Sequence, residues 1–85
     1  MYRILFTKQS QRALLKLPKD KSAAVIRGLE QIAKDPYEQN NHVTRLQNRP
    51  GFRLRVGDWR VIYEIRNEEL VILVLKIAPR GEVYR

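Results

Sequence analysis

Residues 2–6 alternate weakly between apolar and polar and are rich in strand formers, and Thr7 behind them offers a side-chain oxygen suited to capping a helix. A short strand followed by a helix is predicted. In that helix Ala13, Leu14 and Leu17 recur at helical spacing, with Lys8, Gln9, Gln11, Arg12 and Lys16 on the other side, until Pro18 ends it. A second helical stripe, Ala24, Val25, Leu29, Ile32 and Ala33, begins near Asp20 and stops before Pro36, because the residue ahead of a proline resists helical geometry. The two helices form a hairpin. Gly28 inside the second is unfavourable by roughly 1 kcal/mol relative to alanine, which predicts close packing there against the first helix or the sheet.

Residues 37–51 show little periodicity and read as a long connection with one short extended piece near 43–46. Residues 52–65 are the clearest stretch: FRLRV, a Gly57-Asp58 turn, then WRVIYEI, two alternating strands of a hairpin. Setting Val56 opposite Trp59 places Leu54 opposite Val61 and Phe52 opposite Tyr63, so these residues and Ile65 form the core side. Arg53, Arg55 and Arg60 must then share the opposite side with Ile62 and Glu64, and Arg55 faces Arg60 directly. Residues 70–77 are almost wholly apolar, as in a strand buried on both faces and central in its sheet. A two-residue turn into that strand would send Arg80 away from Arg60, whereas a three-residue turn sets Lys76, Ala78 and Arg80 beside it; the latter is the expectation. The predicted fold is α+β: an N-terminal strand, a helical hairpin, then a three-stranded antiparallel meander completing one sheet, all in a single domain over residues 1–85.

Composition sharpens this picture. The chain has 17 Lys+Arg against 9 Asp+Glu, a net charge of +8, no cysteine and one histidine. Disulfides and thiolate metal sites are therefore excluded, and His42 alone builds no zinc centre. A domain of this size buries only about 60–65% of its unfolded surface, so chemistry is expected on an open face. No long apolar run or secretory signal is present, which predicts a cytoplasmic protein and no membrane partner. The positive surplus favours an anionic partner.

Arg55 opposite Arg60 is destabilising unless something supplies counter-charge. Successive phosphates would do so, because the guanidinium fork binds phosphate oxygens bidentately and stays charged at any biological pH. Five arginines against one acid between Arg45 and Arg60 strengthen that reading, and Arg45, Arg49, Lys76 and Arg85 are candidate RNA-binding residues. Phe52, Trp59 and Tyr63 are committed to the core, whereas Tyr84, in a polar tail four residues after Arg80, is a candidate stacking platform and hydroxyl donor. His42 has no predicted tie to the arginine face. Glu64 and Glu82 are expected in salt bridges; the alternative to an anionic partner is that the guanidiniums splay into water or are partly neutralised by Glu64 and Asp58.

The order strand, two helices, three strands, with the run RLQNRPGFRLRVGDWRVIYEI followed by VILVLKIAPRGEVYR, resembles the RelE/ParE superfamily of bacterial and archaeal toxins. The resemblance spans the chain and rests on the arginine-rich strand pair ending in Tyr63, the apolar strand after it, and the closing Arg-x-x-Val-Tyr of Arg80 to Tyr84. It implies a toxin of a type II toxin–antitoxin system, neutralised by an acidic or amphipathic RelB-like antitoxin. The RelE branch enters the ribosomal A site and cuts mRNA without a metal or other cofactor. On this resemblance Arg60 matches the family's catalytic arginine, Arg80 the arginine after the last strand, and Tyr84 the tyrosine that orients the message. Arg53 and Arg55 stand where well-studied members have lysines, one of them implicated in activating the ribose hydroxyl. Pro79 stands where many relatives have histidine or lysine, and the chain stops at Arg85, short of the C-terminal helix that some possess. The ParE branch, which poisons DNA gyrase and has no active site of its own, is the alternative, and a plain RNA- or DNA-binding domain is the third.

Overall fold

The computed structural model describes residues 1–80, in the order β1 (Arg3–Phe6), α1 (Lys8–Lys16), α2 (Lys19–Lys34), β2 (Val43–Arg45), β3 (Phe52–Val56), β4 (Trp59–Arg66) and β5 (Val71–Pro79). Thr7 caps α1 by accepting the Ser10 N–H, and the chain leaves that helix at Leu17, just ahead of Pro18. Pro18 then starts α2 through its carbonyl, which accepts from Lys21 and Ser22. The five strands make one sheet ordered β1-β5-β4-β3-β2, with β1 parallel to β5 and every other pair antiparallel.

The expected three-stranded meander is corrected. Val43–Arg45 pairs with β3, Val43 opposite Leu54 and Arg45 opposite Phe52, so the antiparallel part has four strands, β2 to β5. Three residues are too few to show alternation against a polar loop, which is why the pattern read them as an extended piece of a connection. The β3–β4 hairpin has the expected register throughout, including Arg55 opposite Arg60. Gly57, at φ +58, takes the left-handed turn position that a side chain disfavours.

Both helices cover one face of the sheet. Leu17, Val25, Leu29, Ile32 and Ala33 pack there against Leu54, Val61, Tyr63, Ile72, Val74 and Ile77 in one buried cluster. Phe52 and Tyr63 stack across the hairpin with centroids 5.5 Å apart. Gly28 sits against β3: a Cβ there would come within 3.0 Å of Leu54 Cδ2, so the glycine lets α2 approach the sheet.

The turn into β5 differs from expectation, yet the facing does not. Residues 67–70 make a four-residue turn, with Arg66 opposite Val71. Continued unbroken, that register would send Lys76 to the core side. Between Ile62 and Tyr63 the ladder shifts, because Ile62 faces Lys76 while Tyr63 faces Val74, leaving Leu75 as an extra residue. This bulge restores the alternation that a three-residue turn would have given. Lys76 and Ala78 stand opposite Ile62 and Arg60, and Ile77 turns into the core. β5 is interior, flanked by β1 and β4, while β4 is the middle strand.

Candidate functional site

The uncovered face of the sheet carries the basic side chains. Strand alternation in β3 and β4 projects Arg53, Arg55 and Arg60 to the side away from the helices. Arg80 arrives from the end of β5, where its N–H donates to the Asp58 carbonyl at 2.7 Å and ties it to the β3–β4 turn. Partial desolvation, then the positive charges of Arg53, Arg80 and Arg55, lower the pKa of Arg60. Arg60 is therefore the electrostatic centre of a four-arginine cluster. Among the described residues no carboxylate lies within 4 Å of any of the four. Asp58 meets Arg80 only through its backbone, and Glu64 pairs instead with Arg66 at 3.2 Å. The salt bridge expected of Glu64 is formed, with Arg66, whereas the alternative of partial neutralisation of the arginines by these two acids is not.

A small apolar patch underlies the cluster. Ile62 and Ala78 are buried on the arginine side, with Leu46 and Leu75 against them. The Leu46 N–H donates to the Gly51 carbonyl at 3.0 Å, which folds the β2–β3 loop back toward this face. A Cβ on Gly51 would lie 3.0 Å from the Tyr63 carbonyl and 3.3 Å from Leu46 Cδ1, and its φ of +113 suits glycine alone. The patch fixes the strands from which Arg60 and Lys76 project.

The other candidates divide. Lys76 belongs with the cluster by register. Arg45 does not, since pairing opposite Phe52 puts it on the helix side, where its guanidinium lies 5.8 Å over the Phe52 ring. At the sheet edge it still lines a cleft of about 510 Å³ with Arg49 and Arg53. His42 meets the sheet through its backbone, its carbonyl accepting the Arg55 N–H at 2.8 Å. Tyr84, Arg85 and Glu82 lie outside the described residues. A groove of about 870 Å³ between α2 and β3, floored by Ala24, Gly28, Leu54 and Val56, shares only Arg55 with the cluster. Among the described residues no three His, Cys, Asp or Glu side chains converge as metal ligands, and no helix is long and apolar enough to cross a membrane.

Sequence reading missed the contribution of α1. Gln9, read as lying on the polar side of the helix, and Ser10 hydrogen-bond the backbone of β5 at Ile77 and Val74. Ser10 is fully buried. A polar residue in the first helical turn carries no pattern that separates solvent exposure from such a bond.

Residues 4–84 match the family described as the ParE toxin of the type II toxin–antitoxin system parDE. The chain belongs to the RelE/ParE toxin superfamily. A curated relative, Toxin RelG of Mycobacterium tuberculosis, is 28% identical over 85 residues, covering 99% of this chain and 97% of RelG. The toxin fold is shared with the archaeal RelE–RelB complex from Pyrococcus horikoshii at a TM-score of 0.80 and 31% identity, over 96% of this chain and 98% of that one. The RelBE2 toxin–antitoxin complex of M. tuberculosis is similar at a TM-score of 0.76 and 27% identity, over 93% and 98%. The intact Escherichia coli RelBE complex, at 20% identity and a TM-score of 0.80 over 98% and 100%, shares the fold.

Proposed function

We propose that this RelE/ParE-superfamily chain is a ribosome-dependent, metal-independent endoribonuclease that cuts mRNA in the A site and is held inactive by a RelB-like antitoxin. The observation that carries this reading is the arginine cluster: Arg60 ringed by Arg53, Arg55 and Arg80 on an open face, with no carboxylate partner among the described residues. In the proposed reaction the ribose 2'-oxygen forms a bond to the adjacent phosphorus, giving up its proton. The dianionic phosphorane then expels the 5'-oxygen, which takes a proton, leaving a 2',3'-cyclic phosphate. Four convergent guanidiniums suit the phosphorane, where charge accumulates most. Arginine is a poor proton acceptor. The 2'-hydroxyl proton falls to Glu82, Tyr84 or Glu64, the last already engaged by Arg66, or positioning on the ribosome lowers the need for a strong base. Tyr84 orients the message, while Arg45, Arg49, Lys76 and Arg85 hold its backbone. The antitoxin partner is supported by the relatives described as RelE–RelB and RelBE complexes.

Purified protein added to a reconstituted translation reaction should cut message occupying the ribosome and leave the same RNA intact when naked. Uncut message in both arms would reject the nuclease reading. The match to a family described as ParE supports a second reading, a gyrase poison without its own active site. Inhibition of supercoiling with translated message whole would decide for it.

A further inference from the structure

β1 runs alongside β5 only from Val71 to Val74. Beyond Val74 that edge of β5 has no strand neighbour, and it is there that the chain carries its bulge on the opposite edge. Side chains from the start of α1 fill the gap. The Thr7 hydroxyl donates to the Leu75 carbonyl at 2.8 Å and the Ser10 hydroxyl to the Val74 carbonyl at 2.9 Å. Gln9 exchanges two bonds with one residue: its Nε2 donates to the Ile77 carbonyl at 3.3 Å, and its Oε1 accepts the Ile77 N–H at 3.2 Å. A carboxamide bonded in this way does what a paired strand residue would do.

A bulge leaves a residue unpaired and loosens the ladder around it. Here the bonds from α1 fall on residues 74, 75 and 77, on both sides of the bulge. Ile77 is the last described core anchor of β5 before Ala78, which faces Arg60, and Arg80, which joins the cluster. Without the bulge, Lys76 would face the core opposite Val61, and the direction of Arg80 would reverse. We infer that Gln9 is a positioning residue of the arginine site: it locks Ile77 in the post-bulge register and thereby aims Lys76 and Arg80 at Arg60. It acts through the backbone of β5 from the helix side of the sheet, and its role in cleavage rests on the nuclease reading above.

The test uses the full chain with Gln9→Ala and Gln9→Met; the second keeps an unbranched chain of similar length and removes both bonds. Each should speed hydrogen exchange of the Ile77 amide by about tenfold, as expected for the loss of two modest hydrogen bonds. Each should also lower kcat for cleavage of ribosome-bound message by about tenfold, with KM unchanged. In an Arg80→Lys background the same changes should add little, because residues acting as one unit are not additive. Unchanged Ile77 exchange, full activity in Gln9→Met, or an undiminished loss in the Arg80→Lys background would overturn the inference. A wild-type chain that cuts no translated message would remove the nuclease reading instead, and the Ile77 exchange would then decide alone whether Gln9 holds β5.

Discussion

The two faces of one sheet are built on opposite rules. On the helix side Leu54, Val61, Tyr63, Ile72, Val74 and Ile77 meet Val25, Leu29 and Ile32 in a buried apolar layer. On the other side Arg53, Arg55, Arg60 and Arg80 crowd together around the small patch of Ile62 and Ala78. Stability is made on the first face and partly lost on the second, where like charges stand directly opposite one another. Because the same strands carry both, the first face can supply the rigidity with which the second holds its arginines in place.

The largest expected effect separates the faces by function. Arg60→Ala should cut the rate of message cleavage by roughly 10²–10³-fold, the scale of losing one preorganised charge-stabilising donor. Its thermal midpoint should stay the same or rise, because a repelled cation is removed. On the helix side, Leu29→Ala should lower stability by about 2–5 kcal/mol in denaturant unfolding, and lose activity only in proportion to the unfolded fraction. A drop in midpoint for Arg60→Ala, or a specific loss of rate in folded Leu29→Ala, would break the contrast. Gly28→Val probes the seam between α2 and β3. With a Cβ already at 3.0 Å from Leu54, it should cost about 1–3 kcal/mol and leave the arginines untouched.

Salt should act on the stability of the arginine face and on its RNA binding in opposite directions. Partial desolvation and the neighbouring arginines lower the folded-state pKa of Arg60, so the folded chain binds that proton less tightly than the unfolded chain does. Protonation therefore costs stability, and the cost fades only as pH rises through the lowered folded-state value toward the ordinary arginine range. At neutral pH the cost is fully present, and screening is the practical lever. Raising salt should increase the thermal midpoint modestly while weakening RNA binding. The smallest effect belongs to neither face. Leu70 ends the β4–β5 turn at φ +55, so Leu70→Gly should be neutral or raise stability by about 1 kcal/mol.

What could be read from the chain follows the same division. The register of the β3–β4 hairpin was legible because Gly57-Asp58 fixes the turn and alternation fixes the faces, and with it came Arg53, Arg55 and Arg60 on one surface. The helices were legible from Leu17, Val25, Leu29 and Ile32. β2 was not, being three residues long. The facing of Lys76 was expected from a three-residue turn and arises from a four-residue turn plus the bulge at Leu75, two parity changes that alternation alone does not distinguish. Arg45 was grouped with the arginines by proximity in sequence, but its strand partner Phe52 turns it to the other face. Gln9 and Ser10 were invisible as structural residues because their bonds reach the backbone of a strand more than sixty positions away.

The central claim is that the open face, through Arg60, cuts translated message. Primer extension on a defined transcript after induced expression, comparing the wild-type chain with Arg60→Ala, tests it most directly. The account predicts breaks confined to translated codons for the wild type and none above background for Arg60→Ala, with antitoxin binding retained by both. Intact transcripts with the wild type, or the same breaks from Arg60→Ala, would contradict it.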